Sequence, residues 1–215
     1  MSPEITEDIK TVLSFYEALG IERIPLSIPS RALSLRELRE EIGDCQRCKL
    51  SKERKNIVFG EGNPSAPIMF IGEAPGGEED IQGRPFVGEA GKVLTNLITK
   101  MGFQRQKLYI GNIVKCRPPL NRDPEEDEIN TCLPFIKQQI EIISPKVIIS
   151  LGRISAHTLI GTKTPISKLR GRFYSYEGIP LMPTFHPAYL LRNPKDKWLV
   201  WDDAQKVLEK LKRGL

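Results

Sequence analysis

Ile68-Met69-Phe70-Ile71-Gly72-Glu73-Ala74-Pro75-Gly76 is the segment from which the fold can be read. Its four leading apolar residues follow Gly60-Glu61-Gly62-Asn63-Pro64-Ser65, a loop by composition. A short apolar run between turn signals reads as a buried strand. Downstream, Val93, Leu94, Leu97, Ile98 and Met101 fall at helical spacing. The alternation then continues. Leu108 to Val114 reads as a strand and Pro124 to Ser144 as a helix with Ile129, Leu133, Ile136, Ile140 and Ile143 on one face. Val147-Ile148-Ile149-Ser150-Leu151 reads as a strand, followed by Gly152 and a helix through Ile160. Arg172 to Tyr176 and Ile179 to Phe185 read as two more strands, and a helix from Trp198 turns Val200, Ala204, Val207 and Leu211 inward. Strands alternating with helices predict an α/β fold, a single-domain α/β/α sandwich around a mainly parallel sheet.

At the other end, Ile5, Ile9, Val12, Tyr16 and Leu19 mark a helix over 4–19, and Ser34-Leu35-Arg36-Glu37 is a capping-box pattern that opens another. The expected organisation is a helical extension, residues 1–33, ahead of one domain, residues 34–215. The 215 residues suffice for one core without disulfide staples. With 40% hydrophobic and 27% charged residues the composition is globular, which argues against a chain that is mainly disordered. No run approaches 18 apolar residues, so no membrane span is expected, and no membrane partner is expected either. The acidic start, Met1 to Asp8, does not read as a secretory signal, and a cytoplasmic location follows as the expectation. A net charge of +5 permits a polyanionic partner and equally fits a plain solvated surface.

In parallel α/β sheets, ligands sit beyond the carboxyl ends of the strands. The polar groups there are Glu73 in Gly72–Gly76, Asn112 with Cys116, Gly152-Arg153, and His186-Pro187. Residues 72–91 hold six glycines and two prolines, which reads as a long, punctuated functional loop. Glu73, the first polar side chain after a buried strand, is placed to act as a base. Glu78 and Asp80 read instead as a solvated acidic turn. Phe86, in the same loop, either plugs the core edge or offers a face for a flat ring. His157 lies within a helix and reads as a packing or surface residue.

Cys45 and Cys48 form a C-x-x-C, and Cys116 and Cys132 lie sixteen positions apart. One metal site using all four, with zinc or an iron–sulfur cluster, and scattered core cysteines both remain open on spacing alone.

Several motifs occur in order. They are Gly72-Glu73-Ala74-Pro75-Gly76 with Glu79-Asp80, Gly83-Arg84-Pro85-Phe86-Val87-Gly88, Asn112-Ile113-Val114-Lys115-Cys116-Arg117-Pro118-Pro119, and His186-Pro187-Ala188-Tyr189-Leu190-Leu191-Arg192-Asn193-Pro194. Over roughly residues 40–212 the chain resembles the family 4 uracil-DNA glycosylases, the iron–sulfur branch of their superfamily. The resemblance implies one [4Fe–4S] cluster on Cys45, Cys48, Cys116 and Cys132, with a structural task. It implies hydrolysis of the bond between uracil and deoxyribose in a flipped-out nucleotide, the first step of base excision repair. Gly72, Glu73, Ala74, Glu79, Phe86, Asn112 and His186 would line the uracil site. Phe86 would stack on the base, Asn112 read its edge, His186 donate to O2, and Glu73 position water. Glu79 would sit near C5, where a thymine methyl would collide.

Ala74 departs from the family 1 branch, which carries a catalytic aspartate there, so the burden shifts to Glu73. Leu190, Leu191 and Arg192 read either as an ordinary helical turn with a buried leucine pair or as a wedge and phosphate contact on DNA, and their place after His186 favours the wedge. Residues 117–124 contain no histidine, so turnover by water is implied rather than the trapped adduct of a covalent relative. The expected partner is uracil-containing DNA, single- or double-stranded. The expected state is a nucleoid-associated monomer in a prokaryote, with residues 1–33 as an oligomer contact or a tether to a replication-clamp or repair protein. Two alternatives compete with this reading: an iron–sulfur DNA-binding protein that does not cut, and a zinc-stabilised nucleotide-binding domain.

Overall fold

In the computed structural model, residues 34–213 are described, together with Thr11, Ser14, Phe15 and Ala18, which are helical. The five apolar positions expected on a helix over 4–19 lie outside the described residues. Six strands form one sheet in the order β1-β3-β2-β4-β6-β5. They are β1 (Glu61–Gly62), β2 (Ile68–Gly72), β3 (Tyr109–Asn112), β4 (Val147–Leu151), β5 (Tyr174–Tyr176) and β6 (Ile179–Thr184). The four central strands run parallel, and β1 and β5 pair antiparallel at the two edges.

The described helices are α1 (Leu35–Ile42), α2 (Gly77–Gln82), α3 (Glu89–Lys100), α4 (Glu126–Ile143), α5 (Arg153–Ile160), α6 (Ile166–Leu169), α7 (Pro187–Arg192) and α8 (Lys197–Lys212). Helix α1 begins at the expected capping box. Ser34 Oγ accepts from Glu37 N at 3.2 Å, and Ser34 N donates to the Glu37 carboxylate at 2.8 Å.

Side-chain alternation splits the core into two layers. Met69, Ile71 and Ile148 face α4 with Ile136, Ile140 and Ile143, while Ile68, Phe70, Val147 and Ile149 face α3 and α8. Strands covered on both sides read as unbroken apolar runs, which is why β2 and β4 were visible in the sequence. The α/β/α sandwich is the observed architecture. Among the described residues, no helix is long and apolar enough to cross a membrane.

Three local readings need correction. The loop at 60–65 contains β1, a two-residue strand too short to leave a periodic signal. It pairs with β3 because Gly62 is a glycine, since a Cβ there would stand 1.9 Å from Leu108 O. Residues 72–91 are not one loop, because α2 and the start of α3 fall inside them. Asp80 is not solvated either. It is 2% exposed and accepts from Lys55 N at 2.9 Å and Asn56 N at 3.3 Å, tying α2 to the segment that follows Cys48. A carboxylate holding backbone donors is the usual way such a charge is tolerated when buried. Glu78 is exposed as expected.

Candidate active site

The carboxyl ends of β2, β3 and β6 meet at one cavity of about 450 Å³, whose walls include Glu73, Ala74, Glu79, Phe86, Asn112 and His186. Registry explains the convergence. Gly72 pairs with Asn112 across the parallel β2–β3 ladder, so the residues just beyond the two strands share one side of the sheet. Two bonds carry the pairing outward, Ile113 N to Gly72 O at 3.0 Å and Val114 N to Glu73 O at 3.1 Å.

Asn112 is 1% exposed, and its Oδ1 has no hydrogen-bond partner. An unpaired buried amide oxygen costs about 1–3 kcal/mol, so this atom is held ready for a donor from outside the chain. The Asn112 backbone is fixed from below by the buried Lys115, whose Nζ donates to Asn112 O at 2.8 Å and to Gln139 Oε1 at 2.7 Å.

Gly72 supplies room. A Cβ at that position would lie 2.4 Å from Asn112 Oδ1 and 2.6 Å from Phe86 Cζ. Gly72→Ala therefore pushes both groups out of place, and we expect kcat/KM on a uracil substrate to fall by about 10²-fold, as for other small displacements of positioned groups. Unaltered turnover in Gly72→Ala would show that the placement of these two side chains does not matter.

Phe86 is held in a left-handed backbone conformation, φ +51°. Non-glycine residues in that region cost about 1–3 kcal/mol and persist where the surroundings over-determine them. Here the chain closes on Gly91, where a Cβ would stand 1.9 Å from Phe86 O. Glu79 also braces the turn, its Oε1 accepting from Val87 N at 2.9 Å and Gly88 N at 3.1 Å. The Phe86 ring lies 5.6 Å, centroid to centroid, from the His186 ring, tilted by 33°.

His186 leaves β6 and caps α7, its Nδ1 accepting from Ala188 N at 3.2 Å. That bond requires an unprotonated Nδ1, so the proton sits on Nε2. Burial, the dominant cause, pushes the imidazole pKa down to about 4, with Glu79 opposing and Arg192 adding to the shift. The ring is thus a neutral donor. Gly152 makes space beside it, since a Cβ there would come within 2.9 Å of His186 Cβ. His157 stands elsewhere, its Nε2 bonding Thr164 O at 2.7 Å in the loop after α5, as a packing residue would.

Glu73 is half-buried, and burial pushes its carboxyl pKa up to about 7, with Asp123 adding to the rise and Arg153 opposing it. Arg153 is itself ion-paired with Asp123.

The two leucines after His186 part company. Leu190 is 3% exposed and packs with Phe185 and Val200, so it is a core residue and not available as a wedge. Leu191, one residue on, is 46% exposed, and Arg192 lines the cavity. Adjacent helical positions face roughly 100° apart, which the sequence pair Leu-Leu could not resolve. Sequence reasoning gave no role to Pro118, Asn121, Arg122 and Tyr189, which also line the cavity. For the first three the signal was their place in the loop directly after the β3 end, a loop read only for a histidine.

Cys45, Cys48, Cys116 and Cys132 line one separate small cavity, and none is in a disulfide. Donors surround the sulfurs, with Arg47 Nη1 at 3.4 Å from Cys45 Sγ, Arg54 Nη1 at 3.4 Å from Cys116 Sγ, and Lys115 N at 3.3 Å from Cys132 Sγ. Burial raises the Cys116 thiol pKa to about 12, with Arg54 opposing. Four thiols facing one space, ringed by N–H donors and cations, match the donor chemistry of a thiolate-held cluster. Among the described residues, no three His, Cys, Asp or Glu side chains close on a single metal ion.

The uracil DNA glycosylase superfamily model matches residues 59–211. A type-4 uracil-DNA glycosylase of Saccharolobus solfataricus is 51% identical over 181 residues, covering 80% of this chain and 84% of that protein. Its counterpart in Sulfurisphaera tokodaii is 47% identical over 82% of this chain and 84% of its own length. A type-4 uracil-DNA glycosylase of Thermotoga maritima is 44% identical over 81% of this chain and 93% of its own. By these likenesses the chain belongs to the uracil DNA glycosylase superfamily, in its type-4 branch.

Proposed function

We infer that this protein removes uracil from DNA by hydrolysing the N-glycosidic bond of a flipped-out deoxyuridine, leaving an abasic site. The observation that carries the reading is the unpaired, buried Oδ1 of Asn112 in a cavity walled by Phe86 and a neutral His186. Uracil offers an N3–H donor beside the O4 acceptor. Asn112 complements both, accepting from N3–H through Oδ1 and donating to O4 through Nδ2. Cytosine has a bare N3 and an amino group there, so both contacts turn repulsive or unmet, at about 1–3 kcal/mol each.

Bond breaking leaves negative charge on the departing base and positive charge on the sugar. His186 Nε2–H donates to O2 as charge gathers there. Glu73, once ionised, steadies the sugar cation and orients water. Phe86 stacks on the ring. Glu79 excludes the C5 methyl of thymine, a role supported by its place in the cavity lining and by the bonds of its Oε1 to the 87–88 turn, which hold the carboxylate still. On the DNA side, Leu191 acts as the apolar wedge and Arg192 as the phosphate contact. The catalytic unit is residues 34–215. Residues 1–33 are an appendage to it, a tether to a replication-clamp or repair protein, and the working state is a monomer.

The test is direct. Purified protein is incubated with a labelled oligonucleotide carrying one uracil and then treated with hot alkali. Strand breakage at the uracil and release of free base are expected. An intact strand and no free base would exclude the activity.

The four cysteines are assigned to one [4Fe–4S] cluster, which when bound supplies a structural crosslink. Cys45 and Cys48 follow α1, Cys132 sits on α4, and Cys116 lies four residues after Asn112, so the crosslink reaches the base-reading segment. Cys116→Ala is expected to lose the broad visible absorption and on the order of 4 kcal/mol or more of stability, as is typical when a structural metal site is removed. Retained colour with unchanged iron content would overturn this ligand assignment.

A further inference from the structure

The loop that follows Cys116 carries a feature that neither the base pocket nor the cysteine site uses. Leu120 is 97% exposed, the most exposed of the large hydrophobic side chains among the described residues. It is also held in the left-handed region, φ +53°, ψ +20°, and Asn121 beside it has φ +55°. Leucine disfavours that conformation, and a solvated loop tip gives it no packing in return.

The loop is nonetheless well braced. Asn121 N donates to Pro118 O at 3.1 Å and Arg122 N to Pro119 O at 3.0 Å. Arg117 Nε bonds Asn121 Oδ1 at 2.8 Å, and Arg122 forms a two-pronged pair with the buried Glu128 at 2.7 and 2.8 Å. A strained apolar side chain, fixed outward by its own loop, is preorganised for a partner.

The position of the tip says which partner. Its near neighbours Pro118, Asn121 and Arg122 line the base cavity, and Tyr189 and Arg192, close to the exposed Leu191, line it as well. Leu120 therefore stands on the β3 loop and Leu191 on α7, both beside the opening through which a base would enter. An arginine accompanies each, Arg117 on the first loop and Arg192 on the second, which suits the flanking phosphates.

Resting on the glycosylase reading above, we propose that Leu120 is a second wedge. It presses against the base stack beside the flipped nucleotide in duplex DNA, while Leu191 fills the gap that the nucleotide leaves. Opening a duplex step costs stacking and pairing that single strands do not hold, and apolar wedges offset that cost. Leu120 thus acts on duplex DNA and is idle on single strands.

Leu120→Gly is the informative variant, because glycine relieves the left-handed backbone while deleting the side chain. Uracil release is measured on matched duplex and single-stranded oligonucleotides, with 2-aminopurine next to the uracil to report unstacking. For Leu120→Gly we expect kcat/KM on duplex to fall about tenfold, single-strand activity to stay within about twofold, and Tm to be no lower than wild type. Leu120→Met should restore duplex activity and the 2-aminopurine signal. An unchanged duplex-to-single-strand ratio, an equal loss on both substrates, or a wild type that ignores duplex uracil would each overturn the wedge. If the wild type releases no uracil from either substrate, the glycosylase reading itself has failed, and the wedge with it.

Discussion

Glu73→Gln should lose activity and gain stability. The carboxyl pKa stands at about 7 because burial disfavours the charge, Asp123 adds to the penalty and Arg153 opposes it. The form that steadies a sugar cation is the ionised one. Wild-type kcat/KM should therefore rise with pH through about 7 and level off above it. Glutamine keeps the size and loses the charge. Its kcat should be lower by about 10²- to 10³-fold, with the limb near neutrality gone.

Stability moves the opposite way. A carboxyl whose folded pKa exceeds its unfolded value holds its proton more tightly when folded. The stabilising contribution is complete below the unfolded pKa and is lost as pH rises through the folded one. Above about 7, wild type carries a half-buried charge that the Glu73→Gln variant lacks. Thermal melts at pH 8 should place the variant higher by on the order of 1 kcal/mol, or ~2–4 °C, with the gap closing at pH 4. A variant that is both inactive and less stable at pH 8 would point to a structural role for Glu73.

The sequence was most legible where a physical rule leaves little choice. Strands covered on both faces must be apolar throughout, so Ile68–Ile71 and Val147–Leu151 stood out. Polar residues at or just beyond the carboxyl ends of such strands sit where ligands bind, which brought Glu73, Asn112 and His186 forward from the sequence alone. What stayed hidden depends on orientation or on backbone shape. Asp80 looked solvated because the backbone donors that bury it come from residues 55 and 56, more than twenty positions away. Leu190 and Leu191 are identical letters that differ only in which side of α7 they face. The need for glycine at 72 arises from a contact with Asn112 and Phe86 made across the sheet end. Leu120 could not be singled out, because an exposed leucine is common and its left-handed backbone leaves no mark in composition.

His186 performs two tasks that substitution can separate. Its Nδ1 caps α7 through Ala188 N, and its Nε2–H is left free in the cavity. Because the pKa is pushed down to about 4, the ring stays neutral across the working range and adds no limb of its own to the profile set by Glu73. A neutral donor suits a base leaving as an anion, since it strengthens its bond to O2 as charge arrives and need not surrender a proton. His186→Ala removes both the donor and the cap. Its kcat should fall by about 10²- to 10³-fold, with a loss of roughly 1 kcal/mol from the uncapped helix. Asparagine is a strong N-cap residue, so His186→Asn should recover the stability. Its shorter side chain carries the amide only part of the way toward O2, so turnover should remain as low as in the alanine variant. Melting curves and single-turnover rates for the pair decide the matter. If His186→Asn regained wild-type rate together with wild-type stability, the imidazole would be a cap and nothing more, and stabilisation of the leaving base would have to come from elsewhere in the cavity.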